Sequence, residues 1–422
     1  MVVEANLQSS NGGEDGGGGG GSGSGGGGNS SGSLDDDNNN NKPAGSGKIG
    51  FRERIEHFTW ANFTGTQSTG GIAILLSETP HQFHGLQTAG AVVFILNLVL
   101  FAVFCAAMLT RFYLHPYTIK KSMTTVPECL FVGPFFLSCA TIIICISRFG
   151  VPHTGPWIIV VVRVLFWIYA ACTLIYSTTI PVILFYRRLD VFKMNPAIFF
   201  TVFNVMLTGT IAASIAQQQP PAQRLPIIVA GIAYQGLGWI LCMIYMPWFL
   251  GTLWVSGLSP PDQRPGLFMP VGSAGYTIVS LIGCSQALPS NYAYFATHPV
   301  GIEVLQIVAD WASIFLWLFA FWVFAVALMA NLPVALPYRD GRFAAPQMGF
   351  KLSWWAIIFP NVGFTIATGF IGNVLEWAAI QWVCTIMTVL LFVFWLMDIA
   401  LHVKAVVTGR IMWPGKDEDA TK

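Results

Sequence analysis

Three arginines carry most of the chemical interest in a 422-residue chain that is 54% hydrophobic and only 10% charged. Arg148 closes one apolar run and Arg264 opens another. Arg163 lies about six residues inside a third, roughly 9 Å from its end at 1.5 Å per residue. Ionisable groups at membrane depth are costly and point to function by default. Arginine's planar fork holds carboxylates through paired bonds, so the chemistry these residues offer is anion binding. Each has a plainer reading: Arg163 can snorkel to the interface, and the other two can sit at lipid headgroups. Glu303, Asp310, Glu376 and Asp398 read as packing or interface groups, with proton coupling as the alternative.

A second candidate is the stretch Trp354 to Thr365, which places Phe359, Pro360, Asn361, Gly363 and Thr365 inside an apolar run. A proline there removes a backbone hydrogen bond. Within a membrane such a break is tolerated where neighbours or a water-filled path satisfy the freed groups. The stretch therefore reads either as part of a polar path or as a kink between packed helices. No phosphate-binding loop, HExxH, GxSxG or histidine-rich metal pattern accompanies it. The chain is accordingly expected to be no enzyme and to need no metal or cofactor. The net charge of +1 offers no footprint for nucleic acid. The eight cysteines form no CxxC or Cys/His cluster and read as core thiols.

The elements that must position these groups are apolar runs of about 20 residues, the length of a membrane crossing. Ten are expected: 58–77, 86–110, 126–147, 157–186, 195–215, 225–250, 266–287, 301–331, 351–373 and 378–403. One set of flanks carries nearly all the lysine and arginine, including Arg52, Arg111, Lys120, Lys121, Arg188, Lys351 and Lys404. The other holds only Arg148 and Arg224. The positive-inside rule then puts both termini in the cytoplasm. Residues 1–47 are rich in Gly, Ser and Asn and read as a disordered cytoplasmic tail. They precede a transmembrane domain (48–405) and a short cytoplasmic C-terminal tail (406–422).

The spans differ in kind. The first carries Thr66, Thr69 and Gly70, the third Ser138 and Thr141, the fifth Asn204 and Thr208. The seventh carries Ser273 and Thr277, and the ninth Asn361 and Thr365. Spacings of three or four put each set on one helix face. Spans 2, 8 and 10 are bulkier, as in Phe315-Leu316-Trp317-Leu318-Phe319, although span 10 carries Gln381, Thr385 and Thr388 on one face and span 4 carries Thr173 and Ser177. The expected fold is all-α, with odd helices around a central pore and even helices outside. The stripes then line the pore, unless small polar faces only let helices pack closely.

Four separated motifs carry a resemblance over residues 50 to 420. They are His57-Phe58-Thr59-Trp60-Ala61-Asn62-Phe63-Thr64, Asp262-Gln263-Arg264-Pro265-Gly266, Phe359-Pro360-Asn361-Val362-Gly363-Phe364, and Pro414-Gly415-Lys416-Asp417-Glu418-Asp419. Together they resemble the fungal malic acid transport proteins of the tellurite-resistance/dicarboxylate transporter family, which is related to slow anion channels and sulfite efflux pumps. The resemblance implies ten helices in five hairpins, a pore in each subunit lined by odd helices, and a homotrimer. It also implies that Phe359, matching the phenylalanine beside a proline in the channels, plugs the pore.

The expected function is transport of C4-dicarboxylates such as malate, succinate and malonate across the plasma membrane. The same-fold alternative is efflux of sulfite or another small anion. An inside-negative potential opposes anion entry by about 2.3 kcal/mol per charge per 100 mV. Uptake therefore calls for protons as a partner or for a singly charged acid, whereas export can be passive.

Overall fold

A tight 3-10 segment introduces every odd-numbered crossing in the computed structural model, which describes residues 50–187, 196–339, 342–343 and 346–414. These segments are Trp60–Asn62, Glu128–Phe131, Pro196–Phe199, Pro261–Phe268 and Leu352–Ile357. The glycine-rich tail, Arg188 and residues 415–422 of the C-terminal tail lie outside the described residues.

The ten principal helices are α1 (Phe63–Glu78), α2 (Leu86–Leu114), α3 (Val132–Cys145), α4 (Trp157–Arg187), α5 (Phe200–Ile215), α6 (Pro221–Ser256), α7 (Val271–Gln286), α8 (Val300–Ala335), α9 (Phe359–Val374) and α10 (Ala378–Val407). Helices suit these sequences because a helix satisfies its backbone groups internally, as hydrocarbon requires. Counting the 3-10 leads, nine described helical stretches are long and apolar enough to cross a membrane. α1 is not one of them. It is shorter and carries Thr64, Thr66, Gln67, Ser68 and Thr69, all buried. Its side chains face protein rather than lipid, so it needs no apolar surface.

Burial alternates along the chain. In their most apolar stretch, the third, fifth, seventh and ninth crossings are 72%, 89%, 89% and 89% buried. The even crossings are only 22–33% buried there. α1 is buried from Phe63 to Leu76. The odd helices contact one another in the cycle α1–α3–α5–α7–α9–α1, and the even helices pack outside that cycle. The even helices present Val92, Ile95, Val99, Phe315, Leu318 and Val389 outward. Exposed apolar surface on this scale marks an interaction surface, here the hydrocarbon of a bilayer.

Close approach inside the cycle depends on small residues. A methyl group on Gly275 of α7 would lie 2.6 Å from the backbone nitrogen of Phe364 on α9. Two ion pairs fasten the end of the bundle where odd helices begin. Arg111 of α2 meets Glu128 at 2.6 Å, with both side chains almost fully buried. Lys351 meets Asp262 at 2.7 Å, joining the segments that lead into α9 and α7.

Pro360 does not kink the middle of a helix, one of the two readings that the sequence leaves open. The ninth crossing is a 3-10 segment followed by α9, and Pro360 occupies the first turn of α9. A first-turn N–H has no intrahelical partner, so a proline costs little there.

Candidate functional site

Two cavities lie along the axis of the odd-helix cycle, and Phe359 borders both. One, of about 50 Å³, is lined by the N-terminal ends of the odd crossings: Thr64 and Gln67, Phe131, Phe200 and Phe203, Gln263 and Met269, Ser353 and Phe359. The other, of about 240 Å³, is lined by their C-terminal halves: Ile74 and Glu78, Thr141 and Arg148, Leu207 and Thr210, Tyr276 and Val279, Val362 and Ile366. They are called here the N-side and C-side cavities. Five helix N-termini converge on the N-side cavity, and the partial positive charge at such ends favours anions.

Phe359 is 2% exposed, and its ring packs tilted by 32° against that of Tyr276, with centroids 5.1 Å apart. The Tyr276 hydroxyl donates to the Phe359 carbonyl at 2.9 Å. Across the axis stands Gly71 of α1, where an added methyl would sit 3.3 Å from Phe359 Cδ2. The absence of a side chain at 71 is what gives the ring its seat. On α9 the residues bordering the C-side cavity are 359, 362, 366, 370 and 373. That spacing describes one helix face, apolar until it reaches Asn373.

The polar stripes occupy a different face. Asn361, two residues from Phe359, is turned about 200° away from it on a regular helix. Its Nδ2 donates to the Ile357 carbonyl at 2.7 Å. Thr365 donates to the Asn361 carbonyl, and its own carbonyl accepts from Cys384 of α10 at 3.3 Å. Elsewhere the hydroxyls of Thr66 and Ser138 lie 2.7 Å apart between α1 and α3. Thr69 accepts from the Trp395 indole of α10 at 3.1 Å. Gly70 packs against Thr141 and Asn97. Asn204 donates to the Phe200 carbonyl, and Ser273 donates to that of Pro270. Thr277 accepts from Gln235 of α6 at 2.8 Å. Thr208 is fully buried. Of the stripe residues, Thr141 borders one of these two cavities.

The three arginines separate. Arg148 borders the C-side cavity, and its Nη2 lies 2.5 Å from Oε1 of Glu78. Arg264 donates to the carbonyls of Ser259 and Ala330, tying the lead into α7 to α8. Arg163 is half-buried on the outer helix α4 and borders neither cavity. Sequence reasoning missed Glu78, Tyr276 and Gln67. The signal for Glu78 was present: residues 71, 74 and 78 fall on one helix face, with the charge at its end. Among the described residues, no cluster of His, Cys, Asp or Glu is placed to hold a metal.

A closed set of five buried helices around an interrupted axis is the architecture of a conduit. Residues 57–403 match the family model SLAC1, described as voltage-dependent anion channel. The chain belongs to this family. It is a multi-pass membrane protein. Its relatives include the malic acid transport protein of Schizosaccharomyces pombe, 34% identical over 370 residues, covering 87% of this chain and 83% of the relative. A putative malic acid transport protein of the same yeast is 31% identical over 371 residues, covering 87% and 84%. More distant is the sulfite efflux pump SSU1 of Trichophyton rubrum, 25% identical over 359 residues, covering 83% and 91%.

Proposed function

We propose that this protein moves C4-dicarboxylates, malate, succinate and malonate among them, through the axis of each subunit, with Phe359 as the gate. The observation that carries the gate is that Phe359 borders both cavities from opposite sides. The substrate class follows the relatives named for malic acid transport, which outrank the sulfite pumps in identity, at 34% and 31% against 25%. The path offers what an anion needs. Five helix N-termini face one cavity, and Arg148 faces the other. The work is conduction rather than chemistry: the relatives are named as transporters and channels.

The lysine and arginine bias supports placing the N-side cavity toward the cytoplasm, both termini cytoplasmic, and the C-side cavity outside. The plasma membrane and a homotrimer complete the reading, with protons as a second transported species. Of the arginines, Arg148 is the anion-binding candidate that this reading retains. Arg264 and Arg163 serve as an interhelical tie and an outer-helix group. Among the stripe residues, Thr141 is the proposed pore-lining hydroxyl, and the others secure helix contacts beside the path.

The test is radiolabelled malate flux into proteoliposomes containing only the purified full chain, with pH and voltage set independently. Saturable malate flux that succinate and malonate inhibit is the expected result. Flux of sulfite with none of malate would overturn the substrate assignment.

A further inference from the structure

We propose that Glu78 and Arg148 form an exchangeable carboxylate site in the C-side cavity: Glu78 holds Arg148 when the cavity is empty, and a substrate carboxylate takes its place as Glu78 takes up a proton. This rests on the transport reading above and names the group through which proton and substrate binding are linked.

Four observations carry it. The pair sits in the larger cavity, whose space of about 240 Å³ far exceeds the roughly 10–15 Å³ one water requires. Among the described residues, Glu78 and Arg148 are the charged groups bordering that cavity. The Glu78 side chain is 14% exposed and that of Arg148 34%. The acid is thus the buried partner, and the guanidinium faces the opening. Finally, donors remain unused. Arg148 Nε is buried without a hydrogen-bond partner, and so is the hydroxyl of Thr210, which borders the same cavity.

A guanidinium presents five donors in a rigid fork and can hold a carboxylate by two parallel bonds. Here Nη2 is engaged by Glu78 and Nε is not. A dicarboxylate entering the cavity meets a site of no net charge, with one carboxylate already in place. Two ionised carboxylates cannot share one cation closely at low cost; one of them binds a proton. The protein supplies that one in Glu78. In the exchange, the Glu78–Arg148 ion pair breaks, one proton from solvent joins the Glu78 carboxylate, and an ion pair forms between Arg148 and the substrate. The site plus a bound dianion then carries a net charge of minus one.

Few other groups compete for the role. His81, in the turn after α1, lies 2.8 Å from the Thr385 hydroxyl and stacks on Trp382 at 4.1 Å. His84 and Glu376 are exposed in turns. On α3's side, His153 lies 3.0 Å from the Phe149 carbonyl. From the α5–α6 turn, Arg224 donates to the carbonyls of Gln217 and Gln219. Tyr276, on α7, is held by the Phe359 carbonyl. Gln217, Gln286 and Asn373 form an exposed, uncharged rim through which a dicarboxylate can enter.

The experiment measures malate binding and proton uptake by the purified full chain, by calorimetry in buffers of differing ionisation enthalpy. The wild type should take up close to one proton per malate near neutral pH. Its affinity should fall about tenfold per pH unit above the midpoint, the slope for one linked proton. Glu78→Gln should bind malate at least tenfold more tightly near neutral pH, without proton uptake and without that slope. The double variant Glu78→Gln/Arg148→Gln should not bind, at unchanged thermal stability. Proton uptake that persists in Glu78→Gln, or weaker binding by a stably folded Glu78→Gln, overturns the inference. Should Glu78→Gln not fold, Glu78→Asp replaces it: a shifted pH midpoint supports the exchange, and an unmoved one overturns it. Wild-type protein that neither binds nor moves malate instead removes the transport reading on which the inference stands.

Discussion

Replacing Phe359 with alanine removes the ring between the two cavities and leaves Pro360 in the first turn of α9. In the proposed gate, an anion passes only when the ring leaves its seat. That forfeits its burial, about 1.5–3 kcal/mol for a phenylalanine side chain, part of which is the tilted ring contact with Tyr276 at 5.1 Å. If this is the dominant barrier, its loss raises flux by about 10- to 100-fold, at 1.36 kcal/mol per decade. The cost to stability should fall at or below the low end of the roughly 3–5 kcal/mol for buried Phe→Ala changes, because Phe359 borders a cavity on either side and the space it leaves adjoins existing voids. The assay is initial malate flux in proteoliposomes at matched protein content, with thermal stability measured on the same preparation. Phe359→Leu should fall between wild type and alanine. Unchanged or reduced flux through a stably folded Phe359→Ala would refute the gate and leave Phe359 as a packing residue.

Other expected outcomes follow from single contacts. Tyr276→Phe keeps the ring contact and deletes the hydroxyl that holds the Phe359 carbonyl at 2.9 Å. One hydrogen bond contributes about 0.5–1.5 kcal/mol, so flux should rise about 2- to 10-fold, well short of Phe359→Ala. Arg111→Ala strands Glu128 inside the protein. Breaking such a pair costs about 3–5 kcal/mol, visible as a large loss of thermal stability in detergent that Arg111→Ala/Glu128→Gln partly restores. Gly275→Ala forces a methyl to 2.6 Å from the α9 backbone and should destabilise by about 1–3 kcal/mol. Gly236→Ala, on α6 with nothing within 4 Å of the new methyl, should stabilise by up to about 1 kcal/mol; a thermal melt of each distinguishes them.

The sequence by itself determined the class and the two-layer plan. Apolar runs of membrane length count out the crossings, because hydrocarbon admits only helices of that reach. The contrast between small polar odd spans and bulky even ones marks which helices are shielded from lipid, since side chains that face protein need not be apolar. It also located Phe359 and Arg148, which the structure places beside the cavities. What it did not determine is which face of each odd helix meets the axis. Periodicity fixes that Thr66, Ser138, Thr277 and Thr365 each belong to a stripe, but not what the stripe touches. A buried hydroxyl away from water needs a hydrogen-bond partner. The partners found are the neighbouring helix, as for Thr66 with Ser138 and Thr277 with Gln235, and the helix's own carbonyls, as for Thr365. On α9, the C-side cavity is bordered instead by Phe359, Val362 and Ile366. The phase of α9 was equally out of reach, because Pro360 reads as a mid-crossing break until the preceding turn is seen to be 3-10. Only the tertiary structure joined Glu78 to Arg148. That pairing depends on how α1 and α3 pack side by side, and nothing in the spacing of either helix encodes the distance between them.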